Sequence, residues 1–460
     1  MRSSFGPLLA LAALCAASMG SGSLALNVRV LVASGASLTV RLGAQEAGAE
    51  VSSLPGNALN TDWLVGASGG KLTLGGLDTG SPVLSLPPSL GSAVDIAGRR
   101  YRGGLTLRAV RGEVQAINVV DIEEYLRGVL PAEMPPLWPQ AAVRAQAIIA
   151  RTYAAARIDP SAAYDLCATT QCQVYEGTAR EHPLADAAIQ ATRAQVVVSA
   201  GKLADTYFSS DSGGYTASSL EAWGRDVPYL RAQPDPASPG ASKPWVITVP
   251  LSRVQDVAGR YNVNVGRLEG VTVSAASPSG RVASLTLSGS AGRKVLAGAN
   301  AGGFVRSLGA RSSRVTLSVT PGTDGLTLTG TGSGHGVGLS QWGARRLAET
   351  GLSELALLSF YYPGASVSLL GERPAGKAVP RAFVLDGTLP LAVAAGRGLN
   401  GRGLDELGAE KVCSVAGNDA VSGLSGASGL DSAIWPGQAA LGGNFGGPPR
   451  LTVPPLDAAL

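Results

Sequence analysis

Apolar and polar positions alternate in short runs through the first quarter of the chain. VRVLVASG from Val28, SLTVRLG from Ser37 and KLTLGGL from Lys71 read as strands, because period-two alternation gives each an inward face and Gly or Ser ends each run. Residues 94–120 continue the pattern and predict three more strands. At Asp121 the period changes. Asp121, Glu123 and Glu124 suit the positive end of a helix dipole, and this helix runs through Tyr125 and Leu126 into a turn at Gly128. Pro131 breaks the chain, Glu133 follows, Pro135 and Pro136 break it again, and a helix enters near Pro139, where a missing N–H does no harm. That helix extends to about Arg157. At 3.6 residues per turn, Gln140, Arg144, Ala147 and Arg151 share one side, and Ala142, Ala145, Ile149, Tyr153 and Ala156 the other. One reading is a carboxylate on a rigid turn beside a two-arginine stripe; the other is an amphipathic helix with a solvated arginine face and a surface Glu.

Downstream, residues 164–177 are loop-like and hold Cys167 and Cys172. A helix spans 181–194, and a hairpin over 195–210 turns at Gly201-Lys202 and delivers the polar loop 209–216. Residues 223–244, rich in Pro, predict a long surface loop. Residues 245–331 mix strands with a small helix over 251–261. The Gly-rich run 332–338 precedes a helix that Ser340 caps, that reaches Glu349 and that Gly351 ends. A last helix covers 355–363. The fold class is therefore α+β: a mixed β-rich domain with one central helix and an inserted β-rich subdomain. The boundaries read from the chain are 1–25, 26–93, 94–370 with an insertion at 246–331, and a Gly/Ala-rich extension at 371–460.

Composition narrows the compartment. Charged residues make up only 15% of the chain and glycine contributes 62 residues, which suits an extracytoplasmic, turn-rich protein. A net charge of +4 is too small to argue for nucleic acid. Residues 1–25 carry one early basic residue, an apolar core and small residues at Ser23-Leu24-Ala25: a signal peptide. No later segment approaches the ~18 apolar residues of a membrane span, so the expected location is the cell envelope or periplasm. In that oxidising setting Cys167 and Cys172 favour a disulfide. The other reading is a metal site, but two thiols with Gln171 and Gln173 as neighbours do not make a tetrahedral one, so no metal and no cofactor is expected.

Glu133 is the sharpest chemical candidate. General acid catalysis is helped by a carboxylic acid whose pKa burial has raised, and Leu130, Met134 and Leu137 offer an apolar shell. Asp211 is a possible second carboxylate, or else a turn residue. His335, with glycine on both sides, either contacts substrate or anchors a tight loop. No G-x-S-x-G element supports a serine hydrolase, and no P-loop is present.

Several motifs in one order carry a resemblance. Tyr125-Leu126-Arg127-Gly128-Val129, Glu133-Met134-Pro135, Ala145-Gln146-Ala147, Ala150-Arg151-Thr152-Tyr153-Ala154, Gln173-Val174-Tyr175-Glu176-Gly177, Ser212-Gly213-Gly214-Tyr215-Thr216, Gly334-His335-Gly336-Val337-Gly338-Leu339-Ser340-Gln341 and Tyr361-Tyr362-Pro363-Gly364 resemble the signature of the stage II sporulation protein D family, SpoIID/LytB, over roughly 94–370. The resemblance implies a peptidoglycan-active protein. It would be a lytic transglycosylase that cleaves between N-acetylmuramic acid and N-acetylglucosamine and leaves a 1,6-anhydro end, with Glu133 as the catalytic acid and base. Arg144 and Arg151 would orient the site or bind glycan, with Asp211, His335 and Gln341 as further contacts. The alternative is a non-catalytic wall-binding enhancer of an N-acetylmuramoyl-L-alanine amidase; an envelope structural protein with a decayed site is a third reading. Two departures stand out: histidines that hold zinc near the cysteine loop in some members are missing here, and Tyr215 occupies a position that is His in many.

Overall fold

The computed structural model describes residues 26–42, 62–86, 93–319 and 324–371. The expected signal peptide, residues 1–25, and the expected extension at 372–460 lie outside the described residues. The architecture is mixed α+β, as the periodicities predicted. A five-stranded sheet has the order Leu166–Cys167, Asn27–Gly35, Glu113–Asp121, Gly104–Val110, Val83–Leu86. A six-stranded sheet runs Leu77–Asp78, Lys71–Leu74, Asp62–Ser68, Ser37–Leu42, Ala93–Ile96, Arg99–Arg102. Strands on both sides of residue 93 share these sheets, since Val28 pairs with Val120 and Val40 with Ile96. The region 94–120 makes four strands rather than three. Ala97 and Gly98 take φ of 49° and 78°, and Arg111 and Gly112 take 52° and 82°, so two tight hairpin turns fit where the pattern suggested fewer.

Helix α1 spans Ile122–Glu133, with Asp121 accepting the Glu123 N–H as its cap. It does not turn at Gly128, and Pro131 does not end it. Tyr125, Leu126, Val129 and Leu130 bury one face completely, and that burial outweighs the hydrogen bond that Pro131 cannot make. The break comes at Met134, which is extended ahead of Pro135 and Pro136. Gly128 is required by close approach: a Cβ there would lie 2.7 Å from the Tyr175 ring and 2.8 Å from the Gly177 carbonyl. Gly128→Ala is therefore expected to lower stability by about 1–2 kcal/mol, overpacking against backbone outweighing the better helix propensity of alanine. Chemical denaturation reads this, and an unchanged or raised midpoint would count against the packing account.

Helix α2, Gln140–Ala155, is buried around most of its surface. Its alanines let α1, α3 (Pro183–Ala191), α7 (Gln341–Glu349), α8 (Glu354–Tyr361) and the strand Gln195–Ser199 approach it closely. This overturns the two-faced reading, because Arg151 on the expected arginine side has no exposed surface. The hairpin also departs from expectation. Its second strand is only Lys202–Leu203, and Phe208–Ser209 instead pairs in parallel with Leu339–Ser340. Residues 223–244 are not a surface loop, since Leu230, Asp235 and Ser238 are buried.

Residues 245–330 enclose a core of their own: Val254, Val257, Leu285, Leu287, Phe304, Val305, Leu326 and Leu328. Two three-stranded sheets, α5 (Leu251–Arg260) and α6 (Ala299–Ser307) surround it. The first and last strands pair so that Trp245 lies opposite Gly330.

Candidate functional site

Glu133 ends α1 and is partly exposed. One carboxylate oxygen accepts the Val174 N–H at 2.8 Å. Burial pushes the carboxyl up to about 7, and this single hydrogen bond only partly offsets it. Near neutral pH the group therefore exists both as an acid able to donate and as a base able to accept. Leu130 and Met134 are fully buried, as an apolar shell requires, whereas Leu137 is 80% exposed.

The loop that delivers the Val174 N–H is fastened on all sides. Cys167 and Cys172 are joined by a disulfide with Cα atoms 5.5 Å apart. Asp165 pairs with Arg29, the Tyr125 hydroxyl meets the Gln173 side chain at 3.1 Å, and the Tyr175 hydroxyl meets Asn118 at 2.9 Å. Among the described residues no three His, Cys, Asp or Glu side chains are grouped to hold a metal ion.

Gln341, the first residue of α7, donates its amide to the Glu133 carbonyl at 2.9 Å and so joins the Gly-rich loop to the end of α1. Ser340 caps α7 and also receives the Ser212 N–H at 3.1 Å, and the Trp342 N–H reaches the Ser210 carbonyl at 3.0 Å. The two Gly-rich loops therefore sit together beside Glu133. Asp211 lies in them but is used as an anchor. Its carboxylate accepts the Gly213 N–H at 2.7 Å, the Gly240 N–H at 2.9 Å and the Ser238 hydroxyl. Among the described residues it makes no bond to Glu133.

His335 accepts the Val337 N–H on Nδ1 at 3.0 Å. Burial, with Arg306 and Arg281 nearby, holds it down to about 4, so it is neutral at physiological pH. Its ring packs 5.3 Å from Trp223 and 6.3 Å from Tyr207. Arg144 pairs with Glu354 at 3.2 Å. Arg151 makes a two-pronged pair with buried Glu123, at 2.9 and 2.7 Å, and donates to the Gln195 and Ile189 carbonyls. Neither arginine is hydrogen-bonded to Glu133.

Sequence reasoning missed four features. The Val174 N–H is a backbone group with no signature of its own. Asp235 is fully buried, bonded by the Ser212 hydroxyl at 2.7 Å and raised to about 6 by burial. Arg281 and Arg314 reach out of the inserted module to the carbonyls of Ser212, Tyr215 and Gly213 at 2.7–2.9 Å. Finally, Tyr153, Tyr207 and Trp223 form an aromatic file, and Tyr153 stands one turn along α2 from Ala150, whose carbonyl takes the amide of Gln173, the neighbour of the Val174 that donates to Glu133. Nothing local in the sequence says what Tyr153 faces.

A family model described as stage II sporulation protein matches residues 110–198. An uncharacterised protein of Brachyspira hyodysenteriae is 31% identical over 283 residues, 59% of this chain and 73% of that protein. Stage II sporulation protein D of Bacillus amyloliquefaciens is 28% identical over 271 residues, covering 55% of this chain and 76% of its own. An amidase enhancer of Bacillus subtilis is 28% identical over 350 residues, which is 65% of this chain but 49% of the enhancer. With the motif order, the fastened glutamate and these relatives together, the chain belongs to the SpoIID/LytB family.

Proposed function

We propose that this protein is exported to the cell envelope and acts there as a peptidoglycan lytic transglycosylase. The observation that carries the reading is Glu133, a partly exposed carboxyl raised to about 7 and held by one backbone N–H. A hydrolase of the ordinary kind pairs two carboxylates across the scissile bond. Asp211, the second carboxylate expected from sequence, is taken up by its own loop, which suits a reaction run by one acid. Glu133 protonates the bridging oxygen as the bond from C1 of N-acetylmuramic acid breaks. The carboxylate then removes the C6 hydroxyl proton as that oxygen bonds to C1. No water is consumed and the product carries a 1,6-anhydro end. Gln341 fixes the end of α1, the Arg151–Glu123 pair holds α1 against α2, and Arg144 ties α2 to α8 through Glu354.

The second reading, a wall-binding enhancer of an amidase, is favoured by the amidase enhancer among the relatives. One experiment separates the two. Purified glycan strands, with and without stem peptides, are digested by the mature protein and the products weighed by mass spectrometry. Fragments ending in anhydro-muramic acid, one water lighter than hydrolysis products, are expected. Intact strands, together with faster release of stem peptides by an added amidase, would establish the enhancer instead.

A further inference from the structure

The aromatic file one turn of α2 from the Glu133 loop ends at the surface and carries a cation, Arg157, that no carboxylate among the described residues pairs with. Tyr153 lies 6.3 Å from Tyr207, ring centre to ring centre, and Tyr207 lies 4.5 Å from Trp223. Trp223 is 44% exposed although it is large and apolar. It is also held in place. It is the last residue of the short helix α4 (Ser219–Trp223), which a Ser218–Glu221 capping box starts and left-handed Gly224 ends. Its ring is backed by Tyr207 and His335.

Arg157 lies over this file. Its guanidinium is 3.3 Å from the Tyr153 ring centre and 5.6 Å from that of Tyr207. One N–H donates to the Tyr153 carbonyl at 3.0 Å. Among the described residues Arg157 has no carboxylate partner, and Asp205, two positions before Tyr207 in the chain, is paired with Arg225 at 2.8 Å. A guanidinium has five donors in a planar fork that matches a carboxylate. Stacked on a ring and left with open donors, it is arranged to receive an anion.

We propose that Trp223, Tyr207 and Arg157 form a subsite for the acidic amino sugar of the glycan, next to Glu133. An aromatic face carries negative potential and attracts the slightly positive C–H groups of a sugar ring, so Trp223 and Tyr207 supply the stacking platform. Arg157 pairs with the carboxylate of the lactyl ether on N-acetylmuramic acid. That carboxylate hangs from the stacked ring through one ether oxygen and one carbon, on the side where a guanidinium on the same aromatic file would meet it, and it is free only where no stem peptide is attached. The subsite is thus what distinguishes a muramyl sugar from N-acetylglucosamine, which has the same ring and acetamido group but no acid. His335 acts as a positioning residue that backs the platform.

The proposal rests on Glu133 being the centre of a glycan site, so the test reads binding rather than cleavage. Mature Glu133→Gln protein, alone and combined with each further substitution, is titrated by calorimetry with three ligands. These are a peptide-free tetrasaccharide alternating N-acetylglucosamine and N-acetylmuramic acid, the same tetrasaccharide carrying stem peptides, and chitotetraose. Arg157→Gln is expected to weaken the peptide-free muramyl ligand about tenfold, the scale of one charge-assisted contact, and to leave chitotetraose unchanged. Arg157→Lys keeps the charge without the fork and falls between. Trp223→Ala weakens all three ligands. Equal loss with chitotetraose and the muramyl ligand on Arg157→Gln, or no loss with either, would overturn the assignment. A loss confined to the peptide-bearing ligand would also overturn it, by moving the anion to the peptide. If wild-type protein leaves strands uncut but the peptide-free muramyl ligand still depends on Arg157, the subsite stands and only the catalytic reading falls.

Discussion

Glu133→Gln is expected to lower the proposed strand cleavage by about a thousandfold, within the usual range for loss of a general acid, while the variant folds and is the more stable protein above neutral pH. The two effects have one origin. Burial raises the carboxyl from 4.5 to about 7. A group whose pKa is higher in the folded state binds its proton more tightly there, so its favourable contribution is complete at low pH and disappears as pH rises through the folded value. Between about pH 4.5 and 7 this withdraws up to about 3 kcal/mol from wild type, and nothing from the glutamine variant. Glutamine keeps the shape and an oxygen for the Val174 N–H but has no proton to give. The stabilities of the two proteins, measured by chemical denaturation, should converge near pH 4 and separate by pH 8. Wild-type kcat/KM should fall as pH rises above about 7, where the acid form is lost. Cleavage by Glu133→Gln at a rate near wild type would remove this carboxyl from the chemistry.

Arg151→Ala carries the largest expected loss of stability, about 3–5 kcal/mol, the scale for removing one partner of a buried ion pair. It leaves Glu123 buried with only the Ala194 N–H at 3.0 Å and takes a donor from the Gln195 carbonyl, while the Ile189 carbonyl keeps the Thr192 N–H. The double variant Arg151→Met with Glu123→Leu removes both charges and should recover much of the loss. The readout is the denaturation midpoint together with cleavage rate per folded molecule at low temperature. If Arg151→Ala keeps wild-type stability but loses cleavage, the guanidinium acts on glycan, and the internal role assigned to it is wrong.

What the chain disclosed locally and what it withheld follow from the range of the interactions. The span of α2, the Ser340 cap and the stop near Gly351 were legible because caps and periodicity act within a few residues. The cysteine pair was legible for the same reason. Pro131 misled, because its effect on α1 depends on how much apolar surface packs around the helix. Arg144 and Arg151 gave a helical stripe, yet their partners Glu354 and Glu123 lie far along the chain, and no spacing rule brings these pairs together. Asp235 sat in a Pro-rich stretch with the composition of a surface loop; only the buried hydroxyls of Ser212 and Tyr361 explain why it faces inward. The Glu133 motif was recognisable, but its raised pKa comes from burial in the folded chain, which the motif alone does not encode.

The pairing of Trp245 with Gly330 affects how the site assembles in time. The Gln341 contact to Glu133 joins residues 208 positions apart, and the Phe208–Leu339 pairing must also close a long segment. Closing the stretch from 245 to 330 as slack chain would cost about 4 kcal/mol in conformational entropy. Once the module between them has folded, its own sheet holds both ends side by side, and the two halves of the site are left on a short tether. The module thus works as a latch set by its own folding. Lesions in its core, at Phe304 or Leu328, would slow the recovery of cleavage after refolding although neither residue lies near the glutamate.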